Sequence, residues 1–240
     1  MDHSNLKRET RYGLPEADQI LYNRHYVLGY SYYFRQAKWA LEIVDPNFTN
    51  VERKDYFRSD YRIPEKFRAD KEVYENSGFN RGHLVASANQ IETAIQNSET
   101  FLLSNMCPQD PEFNSGIWKR LEDAVRFLDS DKKVFETYVI SGPLFYFDQE
   151  VVMIGDDDPN IKVSLPISHA FFKSVLTERN TGTIYMWSFI IPNKKSNEPL
   201  ENFLVETSKV EKLSGLFLWE TLKGTKIMNQ KNKIKKMWKL

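Results

Sequence analysis

The stretch SGFNRGHLVASANQ, Ser77 to Gln90, sets an arginine, a glycine and a histidine side by side as Arg81, Gly82 and His83, just ahead of an apolar run. Free imidazole titrates at about 6.5, so a neutral histidine can take a proton from water near neutral pH. An arginine two residues away offers a rigid fork of donors suited to a phosphate or carboxylate. Gly82 is expected to let the backbone turn without a side chain in the way. Downstream, Asn114, Trp118, Glu122 and Arg126 recur four apart. On a helix each step of four drifts about 40° around the axis, so an amide oxygen, a carboxylate and a guanidinium would share one edge. Taken alone, that row also describes a capping-region asparagine followed by a surface Glu–Arg pair. The order of elements leading into it decides between the two.

Those elements follow from the apolar patterning. HYVLGYSYYFRQAKWALEIV is aromatic and β-branched and predicts two strands joined near Arg35-Gln36. Residues 51–78 are polar and rich in both charges, an irregular surface excursion. FLLSNM predicts a short buried strand, with His83 at the head of the strand candidate before it. DPEFNSGIWKRLEDAVRFLDS is the clearest helix: Asp110 caps it, Pro111 suits its first turn, and Glu112 favours its positive end. Ile117, Leu121, Ala124, Val125 and Leu128 form its core stripe. VFETYVISGPLFYF, VSLPISHAFFKSVL and TIYMWSFIIP predict further strands, and LENFLVETSKVEKLSG a helix ended by Gly215. Many strands and few helices argue for an antiparallel sheet in an α+β fold.

Composition narrows the class. With 240 residues and 41% hydrophobic side chains, the expectation is one domain with a sizeable core, flanked by an extension at 1–12 and a basic tail at 223–240. Lys+Arg and Asp+Glu balance at 33 each, so any binding to nucleic acid needs a local patch rather than a basic molecule. One cysteine, Cys107, rules out an internal disulfide framework and reads as a small buried residue. The first eighteen residues lack an apolar core, so no signal peptide is expected in this chain, and no run reaches a membrane span.

Other chemistry-bearing residues read as structural. His169 lies in an apolar strand, and His3 and His25 have no partner pattern. Asp156-Asp157-Asp158 before Pro159 reads as a solvated turn rather than a metal cluster. The final twenty residues hold seven lysines and no acid. A solvated tail is the default for them, with a phosphate-backbone or membrane-surface contact as the alternative.

FNRGHLVASAN, FLLSNMCPQ and FNSGIWKRLEDAVR together resemble the DNA/RNA non-specific endonucleases, the family of mitochondrial endonuclease G and secreted sugar-non-specific nucleases. GLPEADQILYNRHYVLGYS, VISGPLF and VEKLSGL extend the resemblance over roughly residues 13–222. It implies a ββα-metal site on a central antiparallel sheet with flanking helices, and Mg²⁺-dependent cleavage of DNA and RNA, with Mn²⁺ as a substitute. By motif position, His83 is the general base, Asn114 the metal ligand and Glu122 the holder of metal-bound water. Arg81 and Arg126 contact phosphate, and Asn105 and Gln109 shape the pocket. A further family arginine matches Arg53, with Arg58 as the alternative. The family usually has aspartate where this chain has Asn80, which keeps an acceptor oxygen but loses a charge.

The residue types suit that chemistry on their own terms. A phosphodiester needs an activated water, relief of phosphate charge and stabilisation of the leaving oxygen. A hard cation that retains waters can be held by one amide oxygen plus substrate phosphate. Two other readings stay open at this stage: a nuclease restricted to one nucleic acid or structure, and an inert nucleic-acid-binding relative. Family members are often homodimers. A non-specific nuclease in the cytosol would endanger its own genome, so an inhibitor protein, an activating step or export is implied if it acts there. The chain itself leaves its location open between the cytoplasm and an exported or organellar form.

Overall fold

A computed structural model describes residues 7–44, 51, 52 and 54–239. Its strands are β1 (Gln19–Tyr22), β2 (Tyr26–Ser31), β3 (Gln36–Ile43), β4 (Asn80–His83), β5 (Met106–Gln109), β6 (Val134–Leu144), β7 (Met153–Ile154), β8 (Leu165–Pro166), β9 (Ala170–Arg179), β10 (Ile184–Pro192) and β11 (Leu204–Val205). The α-helices are α1 (Ala94–Glu99), α2 (Lys119–Asp129), α3 (Thr207–Ser214) and α4 (Thr225–Lys231). A seven-stranded sheet runs β1-β2-β3-β6-β9-β10-β11, every pair antiparallel, and β4–β5 and β7–β8 form separate antiparallel pairs. This is the α+β, antiparallel-sheet architecture expected.

Strict alternation along the central strands buries both faces of the sheet. Leu28, Ala40, Val139, Phe171 and Val175 pack on one side against Phe113, Ile117, Trp118, Leu121 and Val125 of the long helical segment. Val27, Trp39, Leu41, Tyr138, Ile140, Phe172 and Leu176 pack on the other with Val210, Leu218 and Trp219. All five predicted core positions of the helix are buried; fully burying a leucine contributes about 1.5–3 kcal/mol.

Four boundaries differ from the sequence expectation. FLLSNM is not a strand: Leu103–Asn105 is a 3₁₀ turn, and pairing starts at Met106. At this turn the Asn105 side chain folds back onto the Val85 backbone. His83 is the last residue of β4, not its head. The helix ended by Gly215 (φ 70°) begins only at Thr207, because Leu204-Val205 pairs with β10 instead. The tail is not a free solvated segment, since Met237 is buried and the Trp238 indole donates to the Ala124 carbonyl at 2.9 Å.

Candidate active site

The pair β4–β5 and the helical segment after it build the site. In β4–β5, His83 faces Met106, Gly82 faces Cys107, Arg81 faces Pro108 and Asn80 faces Gln109. Gly82 has an ordinary backbone conformation, so its role is space rather than a turn. A Cβ there would come within 2.0 Å of the Gln109 side chain, which lies across it. The chain then turns at Asp110, whose Oδ1 accepts from the backbone N–H of Glu112 and Phe113, both at 2.9 Å, as the predicted cap. Asn193 clamps this corner: its amide donates to the Pro108 carbonyl (3.1 Å) and its oxygen accepts from the Asp110 N–H (2.9 Å).

The helix opens with π-helical turns over Phe113–Trp118 before α2 begins. Such wide turns are rare and recur at functional sites. Their consequence here is specific. Trp118, placed by simple spacing on the same edge as Asn114, is instead buried, stacked at 5.4 Å on Phe113, with its indole donating to the His83 carbonyl at 3.2 Å. It thus ties the helix to the end of β4. Asn114, Glu122 and Arg126 keep the outer edge and line a cavity of about 240 Å³ together with Arg81, His83 and Lys119. A second hollow of about 320 Å³ continues past Arg81 and Asn114 to Asn80, Phe57 and Tyr74.

The His83 ring is steered by two aromatic neighbours, Phe101 edge-on at 5.0 Å and Phe57 at 6.0 Å. Phe57 also carries the Arg81 guanidinium over its face at 5.1 Å. Arg126 is held by Asn89, whose Oδ1 accepts from it at 2.8 Å, and by an ion pair with Asp123. Asn89 in turn donates to buried Glu42 at 3.1 Å, which also accepts from Gln90 at 3.1 Å. Beneath them, buried Lys173 donates to Ser141 at 2.8 Å and lies 4.3 Å over the Trp118 ring. Burial pushes the Glu42 carboxyl up to about 7, against the pull of Lys173 and its two amide donors. Burial lowers the Lys173 ammonium, although Glu122 and Glu42 hold it up in part. Burial likewise raises Glu122, opposed by Lys173 and Arg126.

The other expected site residues fall differently. Asn105 is fully buried and its amide is committed to backbone: its oxygen accepts from Val85 (3.0 Å) and its nitrogen donates to Val85 (3.0 Å) and Thr100 (2.9 Å). It shapes the loop after His83 and does not line the cavity. Gln109 is buried, and neither of its amide atoms has a hydrogen-bond partner among the described residues. Arg53 lies outside the described residues. Its alternative, Arg58, donates to the Ser98 carbonyl at 2.8 Å and does not line the cavity. His169 is structural: its Nδ1 accepts from the Tyr146 N–H (3.0 Å), which leaves the proton on Nε2 facing the Glu150 carbonyl (2.9 Å). Asp156–Asp158 line a separate hollow that shares no residue with the His83 cavity. Phe57, Phe101, Asn89, Glu42 and Lys173 escaped the sequence reading. For the last two there was a signal, a lone charge at an inward position of the apolar runs WALEIV and AFFKSVL.

Residues 5–225 match the DNA/RNA non-specific endonuclease family. The chain belongs to that family. It is therefore an enzyme of the nuclease class, a hydrolase, in a family of metal-dependent nucleases with the ββα-metal fold. It is 34% identical over 217 residues to human mitochondrial endonuclease G, a match covering 86% of this chain and 71% of that protein. It is 33% identical over 227 residues to a nuclease of Syncephalastrum racemosum, covering 86% and 69%. A mitochondrial nuclease of Saccharomyces cerevisiae is 32% identical over 240 residues, covering 90% and 70%. In three dimensions it superposes on a chain from the EndoG/EndoGI complex with a TM-score of 0.81 at 29% identity, covering 90% and 91%. No helix among the described residues is long and apolar enough to cross a membrane.

Proposed function

We propose that this endonuclease cleaves DNA and RNA without sequence preference at the His83 cavity, leaving 5′-phosphate and 3′-hydroxyl ends. The observation that carries the reading is the convergence of a base, two oxygen donors and two guanidinium groups, His83, Asn114, Glu122, Arg81 and Arg126, on one cavity. Arg81 and Arg126 bind the phosphate flanking the scissile bond, each pre-aimed by a protein neighbour. His83, neutral, accepts a proton from water as that water's oxygen bonds to phosphorus and the bond to the 3′-oxygen breaks, and the freed 3′-oxygen takes a proton from solvent to become the hydroxyl. The water comes from solvent rather than from a ribose hydroxyl, so DNA and RNA are equally open to attack. Phosphate contacts carry no sequence information, so cuts are spread over many sites.

The donor set fits a hard cation. The Asn114 amide and Glu122 carboxylate line the cavity, and neither side chain has a hydrogen-bond partner among the described residues. Mg²⁺ is the ion that suits it, with Mn²⁺ as a substitute, because both accept a single protein oxygen and keep the rest of their shell as water and phosphate. When bound, such an ion relieves charge on the phosphate and on the departing 3′-oxygen. Asn114 would hold it and Glu122 would orient its water. Gln109, a buried amide lying across Gly82, fills the space that a side chain at that position would take. The mitochondrial names of several relatives support an organellar location, and the complex named for EndoG inhibition supports a protein inhibitor as partner. A plasmid and total-RNA digest tests the reading: Mg²⁺ gives cleavage of both at many sites, with DNA ends that ligase reseals directly. Full activity in EDTA, or ends that need a kinase before ligation, would overturn it.

A further inference from the structure

The seven lysines of residues 221–240 stand in a segment with no acid, in a chain whose formal net charge is zero, so the rest of the molecule is net negative. Like charges crowded into one segment repel, and a free tail would relieve that by moving through solvent. This tail is instead pinned at both ends. Lys231 is buried and donates to Glu211 at 2.8 Å. Beyond it, Met237 enters the core, Trp238 packs edge-on against Trp187 at 5.2 Å, and the Trp187 indole donates to the Lys236 carbonyl at 2.9 Å. Between the anchors, Lys233, Lys235 and Lys236 border a hollow of about 510 Å³ with Tyr185 and Ile234, and no acidic side chain among the described residues lines it. The Lys235 ammonium lies 4.1 Å over the Tyr185 ring and the Arg179 guanidinium 5.5 Å from it. Cations gathered beside an aromatic ring recur in the grooves that track a nucleic-acid phosphate backbone.

We propose that Lys233, Lys235 and Lys236, gathered around Tyr185, form a second contact for the phosphate backbone of the nucleic-acid substrate, outside the catalytic cavity. The inference rests on the endonuclease reading above and adds where a long substrate is gripped. The tail meets α2 at Ala124, between Glu122 and Arg126, so one helix joins the patch to the cavity. A membrane surface is the weaker match. Ile234 is exposed beside the lysines, but Met237 and Trp238 are turned into the protein and the lysine segment after α4 is not helical, so no continuous apolar face is offered to a bilayer.

The test compares wild type with a Lys233→Ala/Lys235→Ala/Lys236→Ala variant and a Lys223→Ala/Lys226→Ala control, exposed lysines outside the hollow. Binding of a long labelled duplex is measured in EDTA over a range of salt concentrations, with thermal melts to confirm folding. The triple variant is expected to bind about tenfold more weakly at low salt and to flatten the log–log salt slope by about 2–3. The control pair is expected to change the slope less per lysine removed. An unchanged slope in the triple variant, or equal loss per lysine in the control, overturns the proposal. So does loss of binding to phosphatidylserine vesicles with duplex binding intact, which would assign the patch to a membrane. A wild-type protein that neither binds nor cuts nucleic acid would instead refute the endonuclease reading, before any variant is compared.

Discussion

The two faces of the central sheet are equally buried but differently furnished. On the face away from the site, the buried hydroxyls of Ser174, Ser188 and Thr207 and the Trp219 indole satisfy one another. The carboxylates there, Glu136 and Glu178, pair with Arg8 and Arg11. On the face under α2, by contrast, Glu42, Ser141 and Lys173 bring a carboxylate and an ammonium into the middle of the sheet, whereas buried Glu136 on the other face lies near a strand end and reaches exposed Arg8. Burying ions in this way is seldom the stabilising choice, since well-packed apolar residues often do as well or better. The difference teaches where the molecule accepts that cost. The ionic face lies beneath Trp118, which holds the end of β4, and Arg126, which lines the cavity, so charges there are placed where they can position the site rather than add stability.

That contrast can be broken at several points. The largest effect is expected at the cavity edge. Asn114→Ala and Glu122→Ala should each lower cleavage by about two orders of magnitude or more with little loss of folding, as single-turnover assays beside thermal melts will show. One turn inward, Leu121→Ala should do the reverse, removing about 2–5 kcal/mol of stability, read by denaturant unfolding. If Asn114→Ala melts as early as Leu121→Ala, the asparagine belongs to the structure and not to the chemistry.

The buried ions give a subtler outcome. A combined Glu42→Gln/Lys173→Met variant should keep wild-type stability within about 1–2 kcal/mol, because both charges leave together. Its cleavage should nevertheless fall by about tenfold, since Asn89, which holds Arg126, then donates to a neutral amide oxygen in place of a carboxylate and is less firmly fixed. Equal activity would mean that the ions are passengers.

The smallest expected effect is on pH. Glu42 ionises in the folded protein only at about 7, above the ordinary carboxyl value of 4.5, so the folded state holds its proton more tightly than the unfolded chain. Stability from this group is therefore full below 4.5 and is lost as pH rises towards and through about 7. The melting temperature of wild type should fall across that window relative to Glu42→Gln. Parallel curves would show that Glu42 ionises as an ordinary carboxylate.

Much of the site was legible because it is local. Arg81 and His83 sit two apart on one strand, and Asn114, Glu122 and Arg126 on one helix, so spacing offered two short rows, which the order of elements and the family resemblance joined into one site. Trp118 was misplaced because the π turns rotate it inward, and nothing in FNSGIW announces that change of period. Asn105 and Gln109 were expected to shape the pocket, but neither lines the cavity: one grips the loop after His83 and the other fills the space above Gly82, which only the folded structure shows. Glu42 and Lys173 could not be joined from sequence, because strands β3, β6 and β9 must first be laid side by side.

The central claim, that His83 moves the proton in a cavity whose other groups only bind and orient, has a direct measurement. His83→Ala should lower single-turnover cleavage by about 10²–10⁴ while its affinity for duplex DNA stays at the wild-type level, and added imidazole should restore part of the rate. Cleavage by His83→Ala at the wild-type rate would contradict the account and move the base elsewhere.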